Sequence, residues 1–288
     1  MHGRKGRLSS RRILDIGLRI NTNVAALTAS RILRRSTGSL NGSLERLASG
    51  LRINRAADDA AALAISENFR TVIRGSQVAQ RNAQDGISLL QTAEGALETT
   101  TSMLQRIREL AVQAANGTYS AQNRLSLDAE VQQLLQQIDD IATDTEFNGL
   151  RVLSSAQSVT LQAGAQGGQT LVIAVNGAKT NDIGVNTVNI SSVGTAVSAL
   201  STIDIALRSV TTLRSSLGAF QNRLDFTITT LSIQEETSTA SDSALRDADI
   251  ARETIAFTRN QILVSAGTSV LAQSNVIPQT ALQLLGGR

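Results

Sequence analysis

The stretch LSTIDIALRSVTTLRSSLGAFQNRLDFTITTL (200–231) decides the fold. Its apolar residues Leu200, Ile203, Leu207, Val210, Leu213, Leu217, Phe220, Leu224, Ile228 and Leu231 follow one another at steps of three or four only. Residues at those spacings share one face of a helix, so the run predicts a long amphipathic helix with a coiled-coil-like seam. A seam of that length needs a partner, and the first half of the chain supplies one. Ile65, Phe69 and Val72, then Ala79, Ala83, Ile87, Leu90, Ala93, Leu97, Leu104, Ile107, Ala111 and Ala114 lie along one face. That segment, about 50 residues at about 1.5 Å each, would span about 75 Å. Leu127, Val131, Leu134, Ile138 and Ile141 mark a third, shorter helix. The three stripes can be buried only against each other.

Between 158 and 193 the pattern changes. VTLQAG, QTLVIAV and VNTVNI are short, β-branched and separated by AGAQGG and NGAKTND, which predicts a hairpin or small sheet at the far end of the bundle. The expected fold is therefore mainly α: a long antiparallel helical bundle or coiled coil drawn from both chain halves, with a small β-hairpin region. The two ends carry narrower stripes, Ile20, Leu27, Leu33, Leu40 and Leu47 in one and Ile250, Ile255, Ile262, Val270, Leu271, Leu282 and Leu285 in the other. Neither has enough apolar surface to be stable alone, so both are expected to be disordered in the monomer and to fold on pairing with neighbours. SGLRINRAADD (49–59) reads as the joint between terminal helix and bundle.

Composition narrows the function. Of the 288 residues 2% are aromatic, one is proline and none is cysteine. The core must be aliphatic, little interrupts long helices, and disulfides, thiolate metal sites and thiol nucleophiles are excluded. The sole histidine is His2. With it go the usual zinc sites and histidine-based triads, and neither a metal nor a cofactor is expected. The apparent basicity is local. Residues 1–16 hold five cations against one carboxylate, whereas the rest of the chain holds 22 against 23. Without a basic body or stacking aromatics, nucleic-acid binding is not expected. Ser10-Arg11-Arg12 has the look of a twin-arginine signal, but the following GLRINTN is polar, so residues 1–16 read as a disordered basic extension of upstream sequence. No apolar run approaches the roughly 18 residues of a membrane span.

The sequence carries no recognisable catalytic constellation. Asp58 and Asp59, Asp139 and Asp140, Glu235 and Glu236, and Asp247 and Asp249 are neighbouring carboxylates, but adjacent helical residues point some 100° apart and no base stands beside them. They read as solvated faces or arginine partners. NGAKT (176–180) ends like a phosphate loop but has Ala178 and Ile173 where glycines belong, and so reads as a turn.

Taken together, LRINRAADDAAALAI (51–65), DGISLLQTAEGAL (85–97), LQRIRELAVQAANGT (104–118) and TEFNGLRVL (145–153) closely resemble bacterial flagellin. SSLGAFQNRL (215–224), RDADIARET (246–254), QILVSAGTSVLAQSN (261–275) and IPQTALQLL (277–285) resemble the family's C-terminal signature in order. The resemblance runs from about Gly17 to Leu285. It departs in the leader, in Ala62 where the family usually has Gly, and in Gly286-Gly287-Arg288.

This resemblance implies a filament subunit, extracellular and not an enzyme, exported unfolded by the flagellar type III apparatus. Outer variable domains are missing, which leaves a leader (1–16), an inner-tube helix and joint (17–59), two halves of a bundle domain (60–157 and 194–247) flanking the hairpin region (158–193), and a C-terminal inner-tube helix (248–288). Leu27, Leu33, Leu40, Leu47, Ile255, Ile262 and Leu271 are the expected polymerisation residues. Arg52, Arg55, Asp58, Asp59, Asp247 and Asp249, with Arg246, Arg252 and Glu253, are expected to set register between subunits. The implied partners are further copies of the chain in an open helical polymer, an export chaperone on the C-terminal segment, and filament cap and hook-associated proteins. The resemblance also maps a patch for Toll-like receptor 5 onto Arg106, Glu109, Leu110, Gln113 and Glu130, with Leu110 as its apolar anchor. The alternatives are a hook-filament junction protein and a flagellin-like surface protein that binds a polysaccharide.

Overall fold

The computed structural model of the chain describes residues 22–286. The expectations for residues 1–16 and for Ile20, and those for the side chains of Leu282 and Leu285, lie outside what it describes. Among the described residues, six helices and four short strands run in the order α1 (Val24–Ser49), α2 (Ala60–Ala115), α3 (Ala121–Asp144), β1 (Glu146–Phe147), β2 (Leu150–Arg151), β3 (Gln157–Gln162), β4 (Thr170–Val175), α4 (Thr180–Ile183), α5 (Val193–Arg246) and α6 (Ile250–Gly286). The described residues form two compact units, one of residues 22–64 and 244–286 and one of residues 65–243.

Each long helix starts on a side chain that satisfies an otherwise orphaned backbone N–H. Asn23 Oδ1 accepts from Ala26 N for α1, Asp59 Oδ1 from Ala62 N for α2, and Ser120 Oγ from Asn123 N for α3. At the start of α5, Ser192 and Thr195 cap each other reciprocally: Thr195 N donates to Ser192 Oγ and Ser192 N to Thr195 Oγ1. Asp249 Oδ1 receives Ala251 N and Arg252 N for α6. Gly50, at φ 71°, ends α1 in the left-handed conformation and returns its N–H to Arg46 O.

In the larger unit α2 and α5 run antiparallel. Ser66 meets Asp242, Gln77 and Gln80 meet Glu235, Glu94 meets Gln221 and Arg214, and Arg108 meets Asp204. Between them lies an aliphatic core in which Leu90, Leu97, Leu104, Ile107, Ile203, Leu217 and Leu224 are fully buried. Contrary to the expectation about apolar runs, α5 is long and apolar enough by length and composition to cross a membrane. Its buried side chains Ala196, Ile203, Val210 and Leu217 are those that fill this core. The third helix packs with Val131, Leu135, Ile138 and Ala142 buried. Leu134 and Ile141, expected on the stripe, are half-buried, so the buried line runs one residue to the side of the leucine count.

The sheet region is a hairpin, β3 antiparallel to β4, that pairs Val159 with Ile173 and Leu161 with Leu171. It lies along the flank of the helices, not beyond their ends. Leu161 occupies the space where Gly86 of α2 lacks a side chain, Ala165 sits against Gly75, and Asn82 Nδ2 donates to Gln162 O at 3.1 Å. Only glycine at 75 allows the loop backbone this close. VNTVNI (185–190), expected as a strand, is none. Its backbone bonds go to side chains of α3, with Asp128 receiving Ile190 N and Gln132 donating to Val188 O, so no second strand is needed. Asp139, read as a solvated carboxylate, likewise receives both the N–H and the hydroxyl of Thr180. The small β1–β2 hairpin was not expected. Asn148 and Gly149, at φ 50° and 78°, make its turn, and the Asn-Gly dipeptide was the signal for it.

Candidate subunit interface

In the smaller unit the two terminal helices pair antiparallel. Asn23 Nδ2 donates to Ser274 O at 2.7 Å near one end, Leu33 lies under Gly267, and Arg46 Nη2 meets Glu253 Oε1 at 2.8 Å near the other. Along α1, Ala29, Ser36 and Ser43 are buried, and Leu33, Leu40 and Leu47 alternate with them half-buried. The steps are four and three throughout, which is the seam of a two-stranded coil. The matching row on α6 is Glu253, Phe257, Asn260, Val264, Gly267, Leu271, Ser274 and Pro278, at the same steps. Counting only large apolar residues hid this seam, because half of the α1 row is Ala and Ser.

The lone proline belongs to the seam. Pro278 has no N–H to return to the carbonyl four residues back, which is that of Ser274. Asn23 supplies the missing donor with the amide nitrogen of the same side chain whose oxygen caps α1. The Arg46–Glu253 pair is partly buried, with side-chain exposures of 33% and 16%. The hydrogen bond from Arg46 holds the Glu253 carboxyl below its usual range, and the same bond raises Arg46.

The expected polymerisation residues divide into two groups. Leu33, Leu40, Leu47 and Leu271 serve the seam inside the chain. Leu27, Ile255 and Ile262 are exposed at 62%, 61% and 62%, and Ile32, Leu44, Leu263, Val270 and Ile277 are exposed beside them in sequence. Ile255, Ile262, Val270 and Ile277 recur at steps of seven or eight, so α6 carries a second apolar ridge apart from its seam. A ridge of large aliphatic side chains in water marks a surface made to be covered.

At the joint the charges expected to set register between subunits make bonds within the chain. Leu51 bridges Asp247 through the backbone, Arg52 N donates to Arg246 O, and Ala248 N donates to Gly50 O. Arg52 Nη2 reaches Leu245 O, and Arg55 pairs with Glu45 at 2.9 Å. Asp58 receives the N–H groups of Arg55 and Asn54, which lower its carboxyl pKa, while Asp59 and Asp249 are the helix caps already described. Arg46, Asn23 and Glu45 were not among the site residues expected from sequence, and Glu253, expected to set register between subunits, instead pairs with Arg46 inside the chain; these roles depend on partners some 10 to 251 positions away.

In the larger unit Arg106 lies between Glu130 and Glu109, at 2.9 and 3.2 Å, and these two bonds raise its pKa, that from Glu130 more. Gln113 donates to the Tyr119 hydroxyl nearby. Leu110, expected as the apolar anchor, does not join this surface: it is 1% exposed and packs in the core with Ile107, Ala111 and Ala114, because a step of three from Ile107 keeps it on the inward face.

The comparisons agree with this architecture. The family model for the bacterial flagellin N-terminal helical region matches residues 20–158, and that for the C-terminal helical region matches residues 200–285. A flagellin of Halalkalibacterium halodurans is 45% identical over 269 residues, covering 92% of this chain and 99% of its own length. Flagellin FlaB2 of Treponema pallidum is 42% identical over 283 residues, with the same coverages. A solved flagellar hook-associated protein of Vibrio parahaemolyticus shares the fold with a TM-score of 0.55 at 13% identity, over 66% of this chain and all of its own. With both helical regions matched and relatives this similar along nearly their whole length, the chain belongs to the bacterial flagellin family.

Proposed function

We propose that the chain is a structural subunit that polymerises into the extracellular bacterial flagellar filament and serves motility. The observation that carries this is the second apolar ridge of α6, with Ile255 and Ile262 more than half exposed while the helix's other seam is already filled by α1. Repeating one heterologous contact across that ridge buries it in every copy, and if the rotation does not close the product is an open helical filament. Such a contact needs no catalytic group, in keeping with a family of structural filament proteins.

The finer reading follows the same chemistry. A chain without cysteine has no cross-link to break before it is threaded unfolded through the flagellar type III apparatus. Until assembly, the ridge of α6 is the surface an export chaperone on the C-terminal segment would cover. Cap and hook-associated proteins would meet it at the filament ends. Arg106, Glu109, Gln113 and Glu130 remain the candidate contacts for Toll-like receptor 5, as a charged group without the Leu110 anchor.

The test is seeded assembly of the purified chain followed by negative-stain electron microscopy, with Ile262→Asp alongside. Filaments from the parent chain and none from Ile262→Asp, with both melting alike, are expected. A parent chain that fails to elongate seeds, or an Ile262→Asp chain that elongates them normally, overturns the reading.

A further inference from the structure

Four Asn-Gly pairs occur in the chain, at 41–42, 116–117, 148–149 and 176–177. In such a pair the glycine nitrogen can approach the side-chain carbonyl carbon of the asparagine, because glycine has no Cβ in the way and the freest backbone. The structure places the four pairs in different surroundings. Asn41-Gly42 is inside α1, with its backbone held in the helical ladder. Asn148-Gly149 is held at positive φ by the β1–β2 pairing on both sides. Gly177 is buried, and the Asp182 carboxylate fills the space beside it. Asn116-Gly117 follows the last residue of α2, is exposed at both residues, and has open space around the glycine.

Asn116 has one further feature. Its Oδ1 accepts a hydrogen bond from Thr118 N at 3.2 Å, which folds the side chain back over the Gly117 peptide. That bond brings the carbonyl toward the attacking nitrogen and puts a donor on the oxygen where negative charge gathers.

We propose that Asn116 is a site of spontaneous modification, in which the Gly117 backbone nitrogen attacks the Asn116 side-chain carbonyl carbon. A carbon–nitrogen bond forms and closes a succinimide ring. The bond to the side-chain nitrogen breaks, and that nitrogen leaves as ammonia with the proton given up by the Gly117 amide. Water then adds at either ring carbonyl and opens the ring to aspartate or isoaspartate, with no change in oxidation state. The product puts a carboxylate just beyond the C-terminus of α2, where the helix dipole disfavours it. It also stands beside Arg124, whose guanidinium donates to Ala114 O and Asn116 O at 2.9 and 3.1 Å. The α2–α3 connection thereby gains negative charge as the subunit ages.

Peptide mapping by mass spectrometry tests this, with isoaspartyl-specific enzymatic methylation as a second readout. The intact chain is held in mildly alkaline buffer beside the same chain in denaturant. In the folded chain Asn116 is expected to convert roughly tenfold faster than Asn41, Asn148 and Asn176, and in denaturant the four rates converge. Gly117→Ala is expected to slow Asn116 without changing the melting curve, since a Cβ at 117 meets nothing within 4 Å and φ there is not left-handed. Conversion of Asn116 no faster than the other three in the folded chain overturns the proposal, as does an unchanged rate in Gly117→Ala.

Discussion

Two glycines on the same helix, Gly75 and Gly95 of α2, separate intrinsic propensity from packing. A Cβ at Gly95 would meet nothing within 4 Å. Gly95→Ala therefore collects the helix propensity difference alone and should stabilise the larger unit by up to about 1 kcal/mol. A Cβ at Gly75 would stand 2.9 Å from Ala165 Cβ, 3.0 Å from its carbonyl oxygen and 3.1 Å from its Cα. Two of those three atoms are backbone, so the β3–β4 loop must retreat as a whole. Overpacking of this kind costs about 1–3 kcal/mol and cancels or exceeds the same propensity gain. The two variants should thus differ by about 1–3 kcal/mol, a separation of a few to about 10 °C in melting midpoint at about 2–4 °C per kcal/mol. Thermal and urea unfolding followed by far-UV circular dichroism measure it. Ala165→Gly in the Gly75→Ala background removes the nearest atom and should recover part of the loss. If Gly75→Ala raises the midpoint as much as Gly95→Ala does, the hairpin loop does not rest on α2 at this position and the argument fails.

Other expectations concern the terminal helices and the Arg106 surface. Because its folded pKa is lowered, Glu253 contributes fully to the α1–α6 pairing at neutral pH. The contribution, about 1 kcal/mol or less, begins to be lost as pH falls through the ordinary glutamate value of 4.5 and is gone below the lowered folded value. Hydrogen exchange of α1 amides should show that acid loss, and Glu253→Gln should remove it; protection that stays level through this window contradicts the pairing. Asn23→Asp keeps the cap on Ala26 N but takes the donor from Ser274 O, at a cost of about 1–3 kcal/mol to the pair. Pro278→Ala, which restores a backbone donor to that carbonyl, should make the Asn23 change milder, and equal losses in both backgrounds would refute the link. Leu110→Ala should destabilise the larger unit by about 2–5 kcal/mol, as its full burial requires. Arg106→Ala should leave the melting curve unchanged yet lower Toll-like receptor 5 signalling; full signalling from it removes the receptor from the proposed partners.

The period of Leu200 to Leu231, answered by Ala79 to Ala114, was enough to determine two long helices and their burial against each other, whereas Ile65, expected on the same stripe, is 47% exposed and Ser66 is buried in its place. A helix of that length shows its buried face at every turn, so the pattern is local and repeated. The hairpin strands β3 and β4 were legible for the same reason, through alternation and glycine-rich punctuation. Tertiary structure alone decided what local pattern does not encode. It set the hairpin along the flank of α2, because the permissive sites are two missing side chains, Gly75 and Gly86, that carry no hydrophobic signal. VNTVNI became a non-strand, because the partners of its backbone are Asp128 and Gln132 on a helix more than 50 residues away. The structure also sorted the terminal apolar residues between a seam inside the chain and a ridge exposed on α6. Periodicity shows which residues share a face; which of two faces is already occupied depends on the partner helix, which here lies at the opposite end of the chain.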